Sequence, residues 1–320
     1  MSARLETAAE VLKLERLLGI EEGEFDFLSE VPAEELRTLR ERVTDSIFDS
    51  GGAALARLGA SAKLVPSPLV ATICESSFGP LLSARAAASC DPAKAIDVAK
   101  RMSAAFLCDT TIELDPRKVA AIISGVPIEL VEPVARELGA REEYVTMGRF
   151  LAFVPDEAIS AAMGALSDEA LLRTAFVLEH KERLDDAIGL LEPGRMAGVL
   201  RCAADQGLWP EALDLIDNIS DDRRAAIAED VAGLGDEVIS GLIAAASEAD
   251  IWDSLVPVVG AMSDESLAKI APTLTGLDPV HLRELLDAAP GELVDAVERA
   301  AERIGMHDEF EAALARAGLE

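Results

Sequence analysis

Aromatic side chains are scarce in this 320-residue chain: they make up 4% of it, with a single tyrosine and two tryptophans. Strands are built largely from aromatic and β-branched residues that alternate across a pleat, so little material is left for a sheet. Apolar residues still reach 50%, and a core of Ala, Leu, Val and Ile suits close helix–helix packing. An all-α protein is expected. Cysteine is sparse too: Cys74, Cys90, Cys108 and Cys202 stand far apart and never form C-x-x-C. That removes the usual zinc spacing and points to buried thiols in a reducing, cytoplasmic compartment. Long apolar runs are missing. The best candidate for a membrane span, Leu64 to Ser89, is broken by Pro66, Pro68 and Pro80 and carries Glu75 and Arg85, so no span is expected. The first ten residues mix charges of both signs and lack the apolar core of a signal peptide.

Catalytic signatures are absent as well. There is no nucleophile elbow, no phosphate-cradling glycine loop and no catalytic cysteine motif; Gly233-Leu234-Gly235 lacks a preceding strand and reads as a turn. The three histidines, His180, His281 and His307, fall in separate predicted helices, none with a Cys, His or carboxylate at i+4 in a recognised metal motif, and read as surface residues. No enzyme, cofactor or metal-ligand set is expected.

Positive charge is the last shortage. With 59 acidic against 29 basic residues the formal net charge is −30, and the stretch from Asp205 to Glu320 alone has 26 acidic and 7 basic residues, a net of −19. Such a surface repels nucleic-acid backbones and anionic membranes. It suits a well-solvated protein, or one that meets a basic partner.

What the chain has in quantity is one short phrase: an apolar residue, then Asp, Ser or Pro, then acidic residues, then about ten residues of helical pattern. Leu114-Asp115-Pro116, Val126-Pro127, Val154-Pro155-Asp156-Glu157, Leu166-Ser167-Asp168-Glu169 and Leu191-Glu192-Pro193 state it most clearly, and Ile219-Ser220-Asp221-Asp222, Met262-Ser263-Asp264-Glu265 and Leu277-Asp278-Pro279 repeat it. Each reads as a helix start, because Asp or Ser can cap free N–H groups, Pro is tolerated in the first turn, and early carboxylates favour the positive end of the helix dipole. Helices this short are not stable alone in water. They must stack on neighbours, which predicts a superhelical array, an α-solenoid.

Before this array the helices read longer: one with Leu5, Ala8, Ala9, Leu12, Leu14, Leu17 and Leu18 as its apolar stripe, an acidic connector anchored by Phe25, Phe27 and Leu28, a second helix from Pro32 to Ile47 stopped by Gly51-Gly52, and a helix from Asp91-Pro92 that ends at Cys108-Asp109-Thr110. The expected organisation is therefore residues 1–109 as an N-terminal helical segment and 110–320 as a short-helix repeat array. Its C-terminal cap is a helix with Leu293, Val297, Ala300 and Ile304 on one face, joined by Phe310 and Leu314.

At the phrases Leu114-Asp115-Pro116, Val154 to Glu157, Leu166 to Glu169 and Met262 to Glu265 the chain resembles the N-terminal cytoplasmic domain of the MgtE family of magnesium channels, a superhelix of short helices also compared with flagellar FliG. The resemblance implies that fold and, in the family, magnesium sensing by acidic helix faces. This chain departs from the pattern in lacking a membrane span and a pair of CBS-type modules, so channel activity is excluded and only the fold carries over. Acidic pairs that could hold Mg²⁺ through one or two carboxylates are Asp221-Asp222, Asp236-Glu237 and Asp264-Glu265, but each sits where helix capping already accounts for it.

One stretch departs from the grammar. Arg141 to Phe153, REEYVTMGRFLAF, holds the only tyrosine, and Tyr144, Thr146 and Arg149 offer two hydroxyls and a fixed cation suited to orienting a carboxylate or peptide. The same residues support a structural reading, in which Tyr144, Met147, Phe150 and Phe153 form a core joint between segments of the array. The function expected is a non-catalytic interaction or scaffold protein, with Tyr144, Thr146 and Arg149 as candidate partner contacts. The alternatives are a Mg²⁺-responsive regulatory module and an enzyme with an unrecognised helical site.

Overall fold

The computed structural model describes residues 2–49 and 52–318, and every regular element among them is helical, with no strand. The chain forms two compact units, Ser2–Leu190 and Leu191–Glu320. The boundary expected at residue 109 instead falls inside a helix.

The first unit contains α1 (Ser2–Leu18), α2 (Ala33–Asp49), α3 (Gly52–Ser61), α4 (Ser67–Ile73), α5 (Gly79–Ala87), α6 (Pro92–Ala99), α7 (Ala104–Glu113), α8 (Ala120–Ile123), α9 (Ile128–Ala140), α10 (Tyr144–Phe150), α11 (Asp156–Ala165), α12 (Asp168–Phe176) and α13 (Leu184–Gly189). The second contains α14 (Arg195–Gln206), α15 (Trp209–Asp214), α16 (Asp221–Ala232), α17 (Asp236–Ala249), α18 (Trp252–Gly260), α19 (Asp264–Thr275), α20 (Pro279–Ala288), α21 (Gly291–Arg303) and α22 (His307–Arg316).

Many of the helix-start phrases do what their chemistry predicts. Asp91, Ser103, Ser167, Ser220, Ser263 and Asp278 each accept a hydrogen bond from a backbone N–H in the first turn of the helix that follows. Pro127 and Pro155 open α9 and α11 through fixed backbone geometry, without a side-chain cap. Two phrases need correction. Asp115 caps no helix: its carboxylate accepts from the Arg117 backbone N–H and guanidinium, and α8 begins only at Ala120. After Leu191-Glu192-Pro193 the chain first turns through Gly194 at φ +80, so α14 starts at Arg195. The segment expected to run from Asp91 to Thr110 is two helices, broken before Ser103, and α7 runs straight through Cys108-Asp109-Thr110.

Packing follows a rule of alternate neighbours. In the first unit α3 packs on α5, α5 on α7, α7 on α9, α9 on α11 and α11 on α13, while α4 packs on α6, α6 on α8 and α10 on α12. In the second, α14 packs on α16, α16 on α18, α18 on α20 and α20 on α22, and α15, α17, α19 and α21 form a matching series. The end of the second series is closed by Leu293, Val297, Ala300 and Phe310, all buried, with Phe310 fully so. Ile304, expected on the same face, is exposed.

The N-terminal hairpin breaks this rule. Helix α1 packs on α2 and also on α10, more than a hundred residues along the chain. Its inward side is Thr7, Ala9, Glu10, Val11, Lys13, Leu14 and Glu15, whereas Ala8 and Leu18 of the expected apolar stripe face solvent. Phe27, expected as an anchor of the connector, is 73% exposed and packs edge-on with Phe25.

Candidate functional site

The place where α1 and α2 meet residues 115–118, α10 and the segment after α12 is the largest concentration of buried charge among the described residues. Its apolar part is small: Ala9, Phe176 and Val177, flanked by Leu5, Leu12, Tyr144 and Val145. The close approach of α10 to α12 depends on Gly148, where a Cβ would come within 2.9 Å of the Val177 carbonyl oxygen and 3.3 Å of that of Thr174.

Around this joint the contacts are ionic. Glu10, 1% exposed, receives Lys13 Nζ at 2.8 Å, Arg40 Nε at 3.0 Å and Arg37 Nε at 3.3 Å. Burial pushes the Glu10 carboxyl up, but Lys13, Arg40 and Arg37 together outweigh it and hold the group below the usual carboxylate value. For Lys13 burial prevails over the attraction of Glu10 and Glu179, so its ammonium loses its proton more readily than a free lysine. Arg40 continues to Glu179, with Nη1 2.7 Å from Oε1. Arg16 pairs with Glu143 at 2.6 Å, and Arg117 and Lys118 both approach Asp45 of α2, at 3.1 and 3.5 Å. The alignment is incomplete: Glu15 Oε2, Arg40 Nη2 and Glu179 Oε1 are buried without a hydrogen-bond partner. Glu10 is thus well hydrogen-bonded, while Coulomb attraction holds Arg40 to Glu179 with poor hydrogen-bond geometry, an arrangement that costs desolvation.

The three candidate contacts lie within this joint. Tyr144 is half-buried, its ring facing the Arg173 guanidinium 6.0 Å away. Thr146 is 3% exposed and donates to Glu143 at 3.0 Å. Arg149 is mostly buried, with Nε 3.8 Å from Glu179 Oε1; burial lowers its affinity for the proton, against the pull of Glu179 and Asp115. Phe153 stacks edge-on to His180. Thr146 and Arg149 therefore already have intramolecular partners, and reaching a ligand would require α1 and α2 to move.

The acidic helix starts are occupied likewise. Asp221 pairs with Arg224, Glu265 with Lys269, and Asp236 accepts from the Thr273 hydroxyl at 2.6 Å. Among the described residues the one convergent set of three metal-type donors lies elsewhere: Glu298, Glu302 and His307. Cys74 and Cys108 are buried free thiols, Cys90 and Cys202 half-buried ones, and burial pushes Cys108 up to about 11. Burial raises Cys90 as well, and a raised thiol is a poor nucleophile.

No family model matches the chain, and neither does any curated protein or solved structure. The resemblance to the MgtE cytoplasmic domain thus remains an expectation drawn from its helix-start phrases. Among the described residues no helix is long and apolar enough to cross a membrane.

Sequence reasoning missed the ionic joint because it read α1 through an apolar stripe of Leu and Ala alone. The available signal was the spacing of Glu10, Lys13 and Leu14, which share the stripe with Val11 at helical intervals.

Proposed function

We propose that this chain is a helical-repeat interaction protein, each unit a short superhelical array that binds another macromolecule through its helix surfaces. The observation that carries the reading is the alternate-neighbour packing, tied layer to layer by hydrogen bonds at a recurring separation. In the second unit the Glu229 carboxylate receives Ser263 N–H and both the Ser263 and Ser266 hydroxyls, 34 and 37 residues on. Asp236 accepts from Thr273, and Glu284 from the Ser247 hydroxyl, in each case 37 residues apart. Arg303 reaches the Asp264 carbonyl, 39 residues back, and Arg316 that of Thr275, 41 back. Glu75 clamps the Ser103 cap in the first unit in the same way, across 28 residues. Separations of this size fit two- or three-helix repeats of about 40 residues, whose stacked faces offer extended binding surface.

The acidic surface favours a basic partner, a cytoplasmic setting fits the free thiols, and the fold implied by the MgtE resemblance agrees with such an array. Cross-linking followed by capture of the tagged full-length chain from native cells tests the proposal. A partner that is retained at low salt and released as ionic strength rises supports it. Failure to retain any partner at low salt, with turnover found in a broad substrate screen, would overturn it.

A further inference from the structure

We infer that Glu298, Glu302 and His307 form a binding site for one divalent transition-metal ion of the zinc type, a reading that goes beyond the interaction function and does not depend on it. Glu298 and Glu302 stand one turn apart on α21, so their side chains share a face. The helix then ends at a tight turn: Gly305 takes φ +75, its N–H donates to the Glu302 carbonyl at 3.0 Å, and the Met306 N–H donates to that of Ala301 at 2.9 Å. This pair of bonds is the paired C-terminal closure of a helix. It fixes where α22 begins, at His307, and so sets the imidazole against the last turn of α21.

The donor atoms of the three side chains all lie within 4.8 Å of one another, and His307 Nδ1 is 3.7 Å from Glu302 Oε1. Ligands of a tetrahedral zinc at about 2.1 Å stand roughly 3.4 Å apart, so side-chain rotation alone brings these into range. His307 Nδ1 is shielded from solvent and has no hydrogen-bond partner, although the side chain as a whole is 42% exposed. A shielded ring nitrogen normally has a partner, and a metal ion would be one. The surroundings favour a cation: residues 291–311 carry seven acidic side chains and two arginines, and one of those, Arg303, is turned to the Asp264 carbonyl. An imidazole with two carboxylates selects zinc-type ions over Mg²⁺, which prefers an all-oxygen shell. Three protein ligands leave a position for water or for a group from another molecule.

Calorimetric titration of the full chain with Zn²⁺, and the visible spectrum on adding Co²⁺, test the site directly. We expect a single equivalent bound, insensitive to millimolar Mg²⁺, and weakened by about tenfold or more (~1.4 kcal/mol) in both His307→Ala and Glu302→Gln. Melting curves should show both variants folded, since neither side chain belongs to the buried core. The double variant Asp221→Asn, Asp222→Asn should bind as the parent does. Absence of binding up to millimolar Zn²⁺ would overturn the assignment, as would binding unchanged by His307→Ala or equally weakened by the Asp221 and Asp222 changes.

Discussion

The two units reach cohesion differently. Residues 2–190 hold 32 acidic and 20 basic side chains, and among the described residues the unit buries five of them well: Glu10, Lys13, Glu15, Arg40 and Asp115. Residues 191–320 hold 27 acidic and 9 basic, yet apart from Asp214 the large fully buried side chains among the described residues are Leu255, Val258, Ile270, Leu282 and Phe310, while ion pairs such as Arg224–Asp221, Lys269–Glu265 and Arg283–Asp287 are local. A buried ion pair contributes little net stability compared with apolar packing, but it penalises every wrong register. That difference fits the topology. In the second unit the closest helix pairs among the described residues are near neighbours along the chain, whereas in the first the α1–α2 hairpin must find one position on elements far along the sequence.

The comparison can be broken by substitution. Glu10→Ala takes from buried Lys13 its nearest partner and leaves Arg40 to Glu179 alone, and should cost about 3–5 kcal/mol in denaturant unfolding of the first unit. Its acid dependence should vanish with it. Because the folded value of Glu10 is lowered from 4.5, its stabilisation is complete above that value and is lost as pH falls through the lower folded value. A first unit whose acid unfolding is the same with and without Glu10 would contradict the ionic joint. Arg149→Ala should cost less, about 1–3 kcal/mol, since Arg40 still faces Glu179. An unchanged melting temperature, together with weakened partner capture, would instead return Arg149 to the role of a ligand contact. Smallest is Ser263→Ala in the second unit, which removes a cap and a Glu229 contact for about 1 kcal/mol. A loss as large as that of Glu10→Ala would erase the distinction between the units.

How much of this could be read in advance divides along the same line. Ser167, Ser220, Ser263 and Asp278 were legible because capping is local: the side chain satisfies an N–H two or three residues on, and the sequence shows both. The closing helix α21 was legible from Leu293, Val297 and Ala300. Glu10 and Lys13 were not, since an amphipathic reading sends charges outward and their partners Arg37, Arg40 and Glu179 are distant in sequence. The break at Ser103 was hidden because apolar residues continue on both sides of it. His307 was read as a surface residue. Glu302 and Glu298 approach it because the chain reverses at Gly305, a three-dimensional fact that helical spacing does not carry.

The central claim is that the helices of the second unit cohere through their neighbours in series. Amide hydrogen exchange on Phe310→Ala tests it most directly, because Phe310 is the fully buried side chain at one end of the series. Nearest-neighbour cohesion predicts that protection falls in α19 to α22, while α14 to α16 keep theirs. Equal loss of protection from α14 through α22, in one concerted opening, would contradict it.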